Sequence, residues 1–166
     1  MSGPPRGVAD GAPAPEVPGR VLVAVFDSPV AAVLLRWAPE LGFRTALLDP
    51  DPARGADATG FADLPEDLSD ADVVVTDHHR PELGEVLRDA LARPVRWVGV
   101  LGNPRHEGPH VAALAALGVP PQEVARVHRP VGLDIGSRAP AEIALSTLAG
   151  LLADRNGRDG GVHRPR

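Results

Sequence analysis

The sequence predicts an α/β fold, Rossmann-like in architecture: a doubly wound, mainly parallel sheet with helices on both faces. Four short and nearly continuous apolar runs read as strands buried on both sides, the pattern of a parallel sheet. The stretches between them carry apolar residues at helical spacing, often opened by proline and closed by glycine. With 166 residues, 43% of them hydrophobic, the chain suits one domain with a real core.

Residues 20–26 (RVLVAVF) form the first expected strand. Ser28 and Pro29 then supply an N-cap and a first-turn proline for a helix reaching Leu41, which Pro39 kinks or shortens and Gly42 stops. Residues 43–48 (FRTALL) are the second strand and end in an acidic loop; residues 72–76 (DVVVT) are the third. A helix beginning near Pro81 shows Leu83, Val86, Leu87 and Leu91 on one face. Residues 95–101 (VRWVGVL) make the fourth strand. Pro109 opens a helix with Val111, Leu114 and Leu117 at helical spacing and Gly118 as its stop. Residues 120–127 add a helical turn, and a final helix over 140–153 buries Ile143, Leu145, Leu148, Leu151 and Leu152.

Residues 1–19 hold nine glycines or prolines and no apolar period, so they are expected as a disordered leader. Residues 154–166 are expected as a disordered tail, leaving 20–153 as the folded domain.

Composition removes several function classes. There is no cysteine, which excludes a disulfide framework, a thiolate zinc site, an iron–sulfur cluster and a cysteine nucleophile in this chain. Net charge is −5, and eight acids stand against one base between Asp49 and Asp72. No basic stripe interleaved with aromatics appears, which argues against nucleic-acid binding. The longest apolar run is too short to span a bilayer, and a soluble cytoplasmic protein is the expectation.

In this fold, ligands bind outside the carboxyl ends of the strands. Where a dinucleotide-binding loop carries G-x-G-x-x-G, this chain has Phe26, Ser28 and Ala31; the phenylalanine obstructs close backbone approach, and Asp27 places negative charge where a diphosphate would lie. Asp49 stands where an acid often binds a ribose, so NAD(P) binding is kept as a minor alternative. Asp77-His78-His79, with Asp49-x-Asp51 upstream, resembles the metal-binding signature of the DHH phosphoesterases. That family needs a larger two-domain chain and a glycine-rich distal motif absent here, and three-letter patterns arise readily by chance. Polar residues at a crevice mouth are the simpler reading.

The most specific pattern is Trp97-Val98-Gly99-Val100-Leu101-Gly102-Asn103, followed after a helix by HRPVGLDIGSRAPAEIALS over residues 128–146. It resembles the C-terminal Rossmann-type domain of the XdhC/CoxI family, accessory proteins that mature xanthine dehydrogenase-type molybdenum enzymes. The likeness runs from about Arg20 to Ala153. The chain departs from the family pattern in its glycine loop (Phe26-Asp27-Ser28-Pro29-Val30-Ala31), in Thr76-Asp77-His78-His79, in Gly102-Asn103-Pro104-Arg105, and in Ala139, where a threonine usually caps the last helix. Family members also carry a further N-terminal domain.

The resemblance implies a protein without turnover of its own that binds or presents the molybdenum cofactor. Its partners would be a molybdenum hydroxylase subunit and a sulfur-donating cysteine desulfurase. The implied cofactor-binding residues are Ser28, Asp49, His78, His79, Gly102, Arg105, Asp134 and Arg138, with Arg105 and Arg138 gripping a pterin phosphate. No catalytic residue and no metal ligand is assigned. Gly132 and Gly136 are read first as backbone devices with positive φ, with Leu133 and Ile135 tucked under the sheet and Asp134 bonding backbone N–H groups. His128 is read as a turn histidine. The alternative is a non-binding partner or regulatory module that has lost its ligand site, which Phe26 and Asp27 favour.

Overall fold

The computed structural model describes residues 19–163; the leader residues 1–18 and the tail residues 164–166 lie outside that range. Five parallel strands, β1 (Val21–Val25), β2 (Arg44–Leu48), β3 (Ala71–Val75), β4 (Trp97–Val100) and β5 (Val127–His128), lie in the order β2-β1-β3-β4-β5. The register joins Val23 to Ala46 on one side and to Val73 on the other. Val73 in turn pairs with Val98, and Val98 with Val127.

Alternation along the strands divides the core in two, as a period of two residues requires. Val23, Val25, Val73, Val75, Val98 and Val100 face one layer, which is closed by α2 (Leu83–Leu91) and by Leu114 of α3 (Pro109–Ala116). Leu22 and Val74 face the other, closed by Leu34 of α1 (Pro29–Trp37) and by Ala144, Leu148 and Leu151 of α5 (Pro140–Arg155). The doubly wound α/β class is therefore as the sequence predicts.

Local chemistry explains most boundaries. Ser28 caps α1, and Pro39 converts its last turn to a 3-10 turn over Ala38–Leu41 that Gly42 ends at φ 80°. The four-residue helix α4 (Pro121–Val124) supplies the expected turn, but Val127 and His128 leave it and pair with β4 as an edge strand. The buried face of two helices differs from the apolar pattern: Val111, Leu117 and Leu145 are exposed, while His110, Ser146 and Thr147 are buried. The two hydroxyls escape the usual cost of burial by bonding carbonyls, Thr147 Oγ1 to Ile143 at 2.8 Å and Ser146 Oγ to Leu133 at 2.5 Å.

At the amino ends of the strands, Asp72 is wholly buried and accepts from Arg96 Nε at 2.6 Å and Arg155 Nε at 2.9 Å. Arg155 also holds Asp70, and Arg96 holds Asp154. The last helix thus runs two residues past the Ala153 boundary expected for the domain and is clasped to β3 there. With the pair described below at Asp49, three of the eight acids in the acidic stretch, Asp49, Asp70 and Asp72, are thus met by arginines far away in sequence.

Ala139 is the N-cap residue of α5 and caps nothing, its φ and ψ being −71° and 132°. Ala139→Thr is expected to raise stability by ~1 kcal/mol, read as a higher midpoint in urea at unchanged slope. An unchanged midpoint would show that the free N–H groups of this turn are already served by water or by Ser137 and Glu142, which bond each other beside it.

Candidate functional site

The strand order changes direction between β1 and β3, so the crevice opens where their following loops part. The two loops are stitched by hydroxyls. Ser28 Oγ accepts the Ala31 N–H at 3.1 Å and donates to Thr76 Oγ1 at 2.8 Å. Thr76 Oγ1 in turn reaches the Val25 and Phe26 carbonyls at 3.0 and 2.9 Å. Phe26 is the only described non-glycine residue with positive φ, at 71°, the conformation a glycine at this turn would take freely. Its ring does not stand in the crevice as the sequence suggested. It is fully buried in the core, with the Arg80 guanidinium 4.6 Å from its centre.

Arg80 also closes the acidic side. Asp49 is wholly buried at the end of β2, with Oδ1 accepting from Arg80 Nη2 at 3.0 Å and Oδ2 from Arg80 Nη1 at 3.1 Å. The Asp27 N–H bonds Oδ2 at 2.8 Å and the Asp51 N–H bonds Oδ1 at 3.0 Å. Burial pushes the Asp49 carboxyl up, but the Arg80 bonds and the two backbone N–H groups outweigh it and hold the group below its usual range. With both oxygens doubly engaged, Asp49 organises the loop and has no free position for a ribose hydroxyl.

The opposite side of the crevice, over β3, β4 and β5, is basic. His78 and His79 follow β3 with ring centres 4.0 Å apart, and His79 N–H donates to Asp77 Oδ1 at 2.9 Å. Burial, then the charges of His79 and Arg129, hold His78 below the ordinary imidazole range against the Leu101 backbone and Asp77. Arg129, directly after β5, donates from Nη1 to the His106 carbonyl at 3.0 Å and from Nη2 to the Asn103 carbonyl at 3.1 Å. The loop of residues 102–108 is thereby folded round one guanidinium. Gly102 leaves room for that guanidinium: a Cβ would stand 2.5 Å from Arg129 Nη2, and the side chain would have to shift.

The family model of the XdhC Rossmann domain matches residues 22–151, nearly the whole span that builds this sheet and crevice. The chain belongs to that family. A curated relative is the uncharacterized protein YqeB of Escherichia coli strain K12, 37% identical over 78 residues, which are 47% of this chain and 14% of that protein. Among solved structures, one described as a xanthine dehydrogenase (BH1974) from Bacillus halodurans superposes with a TM-score of 0.64 at 27% identity, covering 84% of this chain and 45% of that one. The chain therefore spans less than half the length of each of these relatives.

Within this XdhC Rossmann domain the two motif segments are one structural unit. Trp97 stacks on His128 with ring centres 5.0 Å apart, and Gly102 accommodates Arg129. Gly132, at φ 85°, lies against Ser146 of α5, whose hydroxyl donates to the Leu133 carbonyl. Gly136 also has positive φ, at 68°. Ile135, however, is 50% exposed instead of tucked under the sheet. Asp134 is exposed and makes no hydrogen bond among the described residues, so the loop is held by Gly132 and Ser146 and not by that carboxylate.

The sequence-derived site residues thus divide. Ser28 and Asp49 are tied into the β1 turn, while His78, His79 and Gly102 gather on the basic side. Arg105 and Arg138 are exposed, and the Arg105 N–H bonds Asn103 Oδ1. Arg80, Thr76 and Arg129 are the residues sequence reasoning did not assign to the site. Two left a signal, Arg129 inside the longer motif between His128 and Pro130 and Thr76 at the head of Thr76-Asp77-His78-His79. Among the described residues no three His, Asp or Glu side chains stand together as a metal-holding group, and no helix is long and apolar enough to cross a membrane.

Proposed function

We propose that this chain is an accessory protein in the maturation of a xanthine dehydrogenase-type molybdenum hydroxylase, binding or presenting the molybdenum cofactor without turnover of its own. The observation that carries the reading is Arg129, placed with two histidines on one side of the crevice and free of any ion pair among the described residues. Arg129 meets backbone carbonyls and, among the described residues, no carboxylate. His78 and His79 stand beside it, at the strand ends where doubly wound sheets bind ligands. Family membership over residues 22–151 supports the accessory role, and the likeness to the Bacillus xanthine dehydrogenase structure supports a link to that enzyme class.

The donor set suits an anionic cofactor. His78, His79 and Arg129 would hold it, with the exposed Arg105 and Arg138 as further candidates for a phosphate contact. When bound, the cofactor supplies molybdenum redox chemistry to the partner enzyme. This chain's residues neutralise its charge and hold its orientation. With no cysteine the chain carries no persulfide, so any sulfuration would draw on a partner such as a cysteine desulfurase. Mixing the purified protein with molybdenum cofactor should give saturable binding, followed by cofactor absorbance or fluorescence. No affinity in a protein with intact circular dichroism would overturn the carrier role.

A second reading, a non-binding partner module, is favoured by the closed β1 turn, where Arg80 and Asp27 consume the Asp49 carboxylate. Cofactor affinity appearing only after Phe26→Gly and Ser28→Gly are combined would decide for it.

A further inference from the structure

Residues 102–108, between β4 and α3, make a loop with a glycine at each end, and Arg129 holds it shut. The guanidinium bonds the Asn103 carbonyl through Nη2 and the His106 carbonyl through Nη1. Among the described residues, the only other hydrogen bond from the loop to the rest of the fold is that of the Val111 N–H to the Gly108 carbonyl, in the first turn of α3. Packing adds little, because residues 103–107 are all exposed. A segment tied down at so few points opens locally at far lower cost than the sheet beneath it.

Both glycines lie flush against the guanidinium. A Cβ on Gly102 would stand 2.5 Å from Arg129 Nη2 and 2.6 Å from Nε, and one on Gly108 would stand 2.9 Å from Nη1, so the closed loop leaves no space on those sides. A guanidinium grips an oxyanion through a pair of adjacent N–H groups. The pair at Nε and Nη2 is covered by Gly102, and Nε is buried without a hydrogen-bond partner. Arg80 and Arg155 each spend Nε on a carboxylate instead. A buried donor left unpaired favours any state that gives it an acceptor, and here that state requires Gly102 to move away.

We infer that residues 102–108 are a lid, hinged at Gly102 and Gly108 and latched by Arg129, which an oxyanion releases by taking the Nε and Nη2 donors. The lid follows β4 at the carboxyl edge of the sheet, so it governs access to the cation at the ligand-binding end of the fold. The latch stands on this geometry alone; that the releasing anion is the molybdenum cofactor rests on the function proposed above.

Arg105 is the single basic residue of the lid and hence its one trypsin site. Cleavage there should be about tenfold or more slower in the native protein than in a synthetic peptide of residues 100–110, since proteolysis follows the population of the open form. Arg129→Gln should raise the rate at Arg105 about tenfold or more, with circular dichroism unchanged. Gly102→Ala, whose methyl displaces the guanidinium, should act in the same direction and serves if Arg129→Gln does not fold. Native cleavage at the peptide's rate, or a folded variant cut no faster than wild type, would overturn the latch. Sodium phosphate, molybdate and a simple phosphomonoester should each speed cleavage of wild type saturably, while sodium chloride at matched ionic strength should not, with the peptide as control. No acceleration by any of the three would overturn release by an anion. If phosphate opens the lid and molybdenum cofactor shows no affinity, the lid stands and the cofactor reading fails. Cofactor bound with Arg105 still protected would sink the release and leave the carrier role intact.

Discussion

Arg80→Met is expected to destabilise the domain by about 3–5 kcal/mol, because it leaves the wholly buried Asp49 carboxylate without its cation. For a domain of this size that is a fall in Tm of roughly 10 °C, measurable by calorimetry. The two N–H groups of Asp27 and Asp51 remain, but they do not carry a unit charge. Adding Asp49→Asn removes the stranded charge, so the double variant should recover part of the loss. Simple additivity of the two single losses would show that the pair does not act as a unit.

The same pair sets an acid limit. The folded-state pKa of Asp49 lies below its ordinary value near 3.8, so the contribution of this group is fully present above that value and is lost as pH falls through the lower folded pKa. Asp72 acts in the opposite sense, since burial raises its carboxyl against the opposing bonds of Arg96 and Arg155. Wild type should lose stability below pH ~4 by way of Asp49, and Arg80→Met should show a shallower acid slope over the same window.

Phe26 gives the second large effect, with an unusual order of substitutions. Phe26→Ala removes a fully buried ring and should cost about 3–5 kcal/mol. Phe26→Gly removes the same ring yet relieves a left-handed backbone at φ 71°, which costs a non-glycine residue about 1–2 kcal/mol. Glycine should therefore be the milder change by ~1 kcal/mol, the reverse of the order found in ordinary strands and helices. Equal losses, or a more stable alanine variant, would mean that the turn relaxes to negative φ once the ring is gone.

The parts of the fold that were legible in the sequence are those where apolar burial alone decides the structure. Residues 71–75 are buried throughout, and Val73–Val75 within them read as an unbroken apolar run, the mark of a strand covered on both faces. The two-residue β5 is too short to show any period, and its place is fixed by pairing to Val98 and Gly99. In α3 and α5 the pattern misled because His110, Ser146 and Thr147 take positions that apolar spacing would give to Val111, Leu117 and Leu145. Hydroxyls that bond carbonyls are invisible to a hydrophobicity count.

For the candidate site, position was legible and partnership was not. Ser28, Asp49 and the two histidines lie at strand ends, which the topology marks as functional ground. That Asp49 belongs to Arg80, 31 residues on, follows only from the strand order. Among 17 basic residues, all arginine, nothing local distinguishes Arg80 from those that merely solvate the surface, and Arg129 is marked only by its place in the longer motif.

The clasp of Arg155 on Asp70 and Asp72 bears on the sequence of events in folding. It joins residues 83 and 85 positions apart, so the chain between them must be ordered before the contact repays its loop-closure entropy. A contact of that kind formed after the rate-limiting step slows unfolding and leaves refolding unchanged, so Arg155→Gln is expected to speed unfolding in stopped-flow with little change in the refolding rate. The clasp thus serves lifetime more than assembly: it governs how long the sheet stays shut once made.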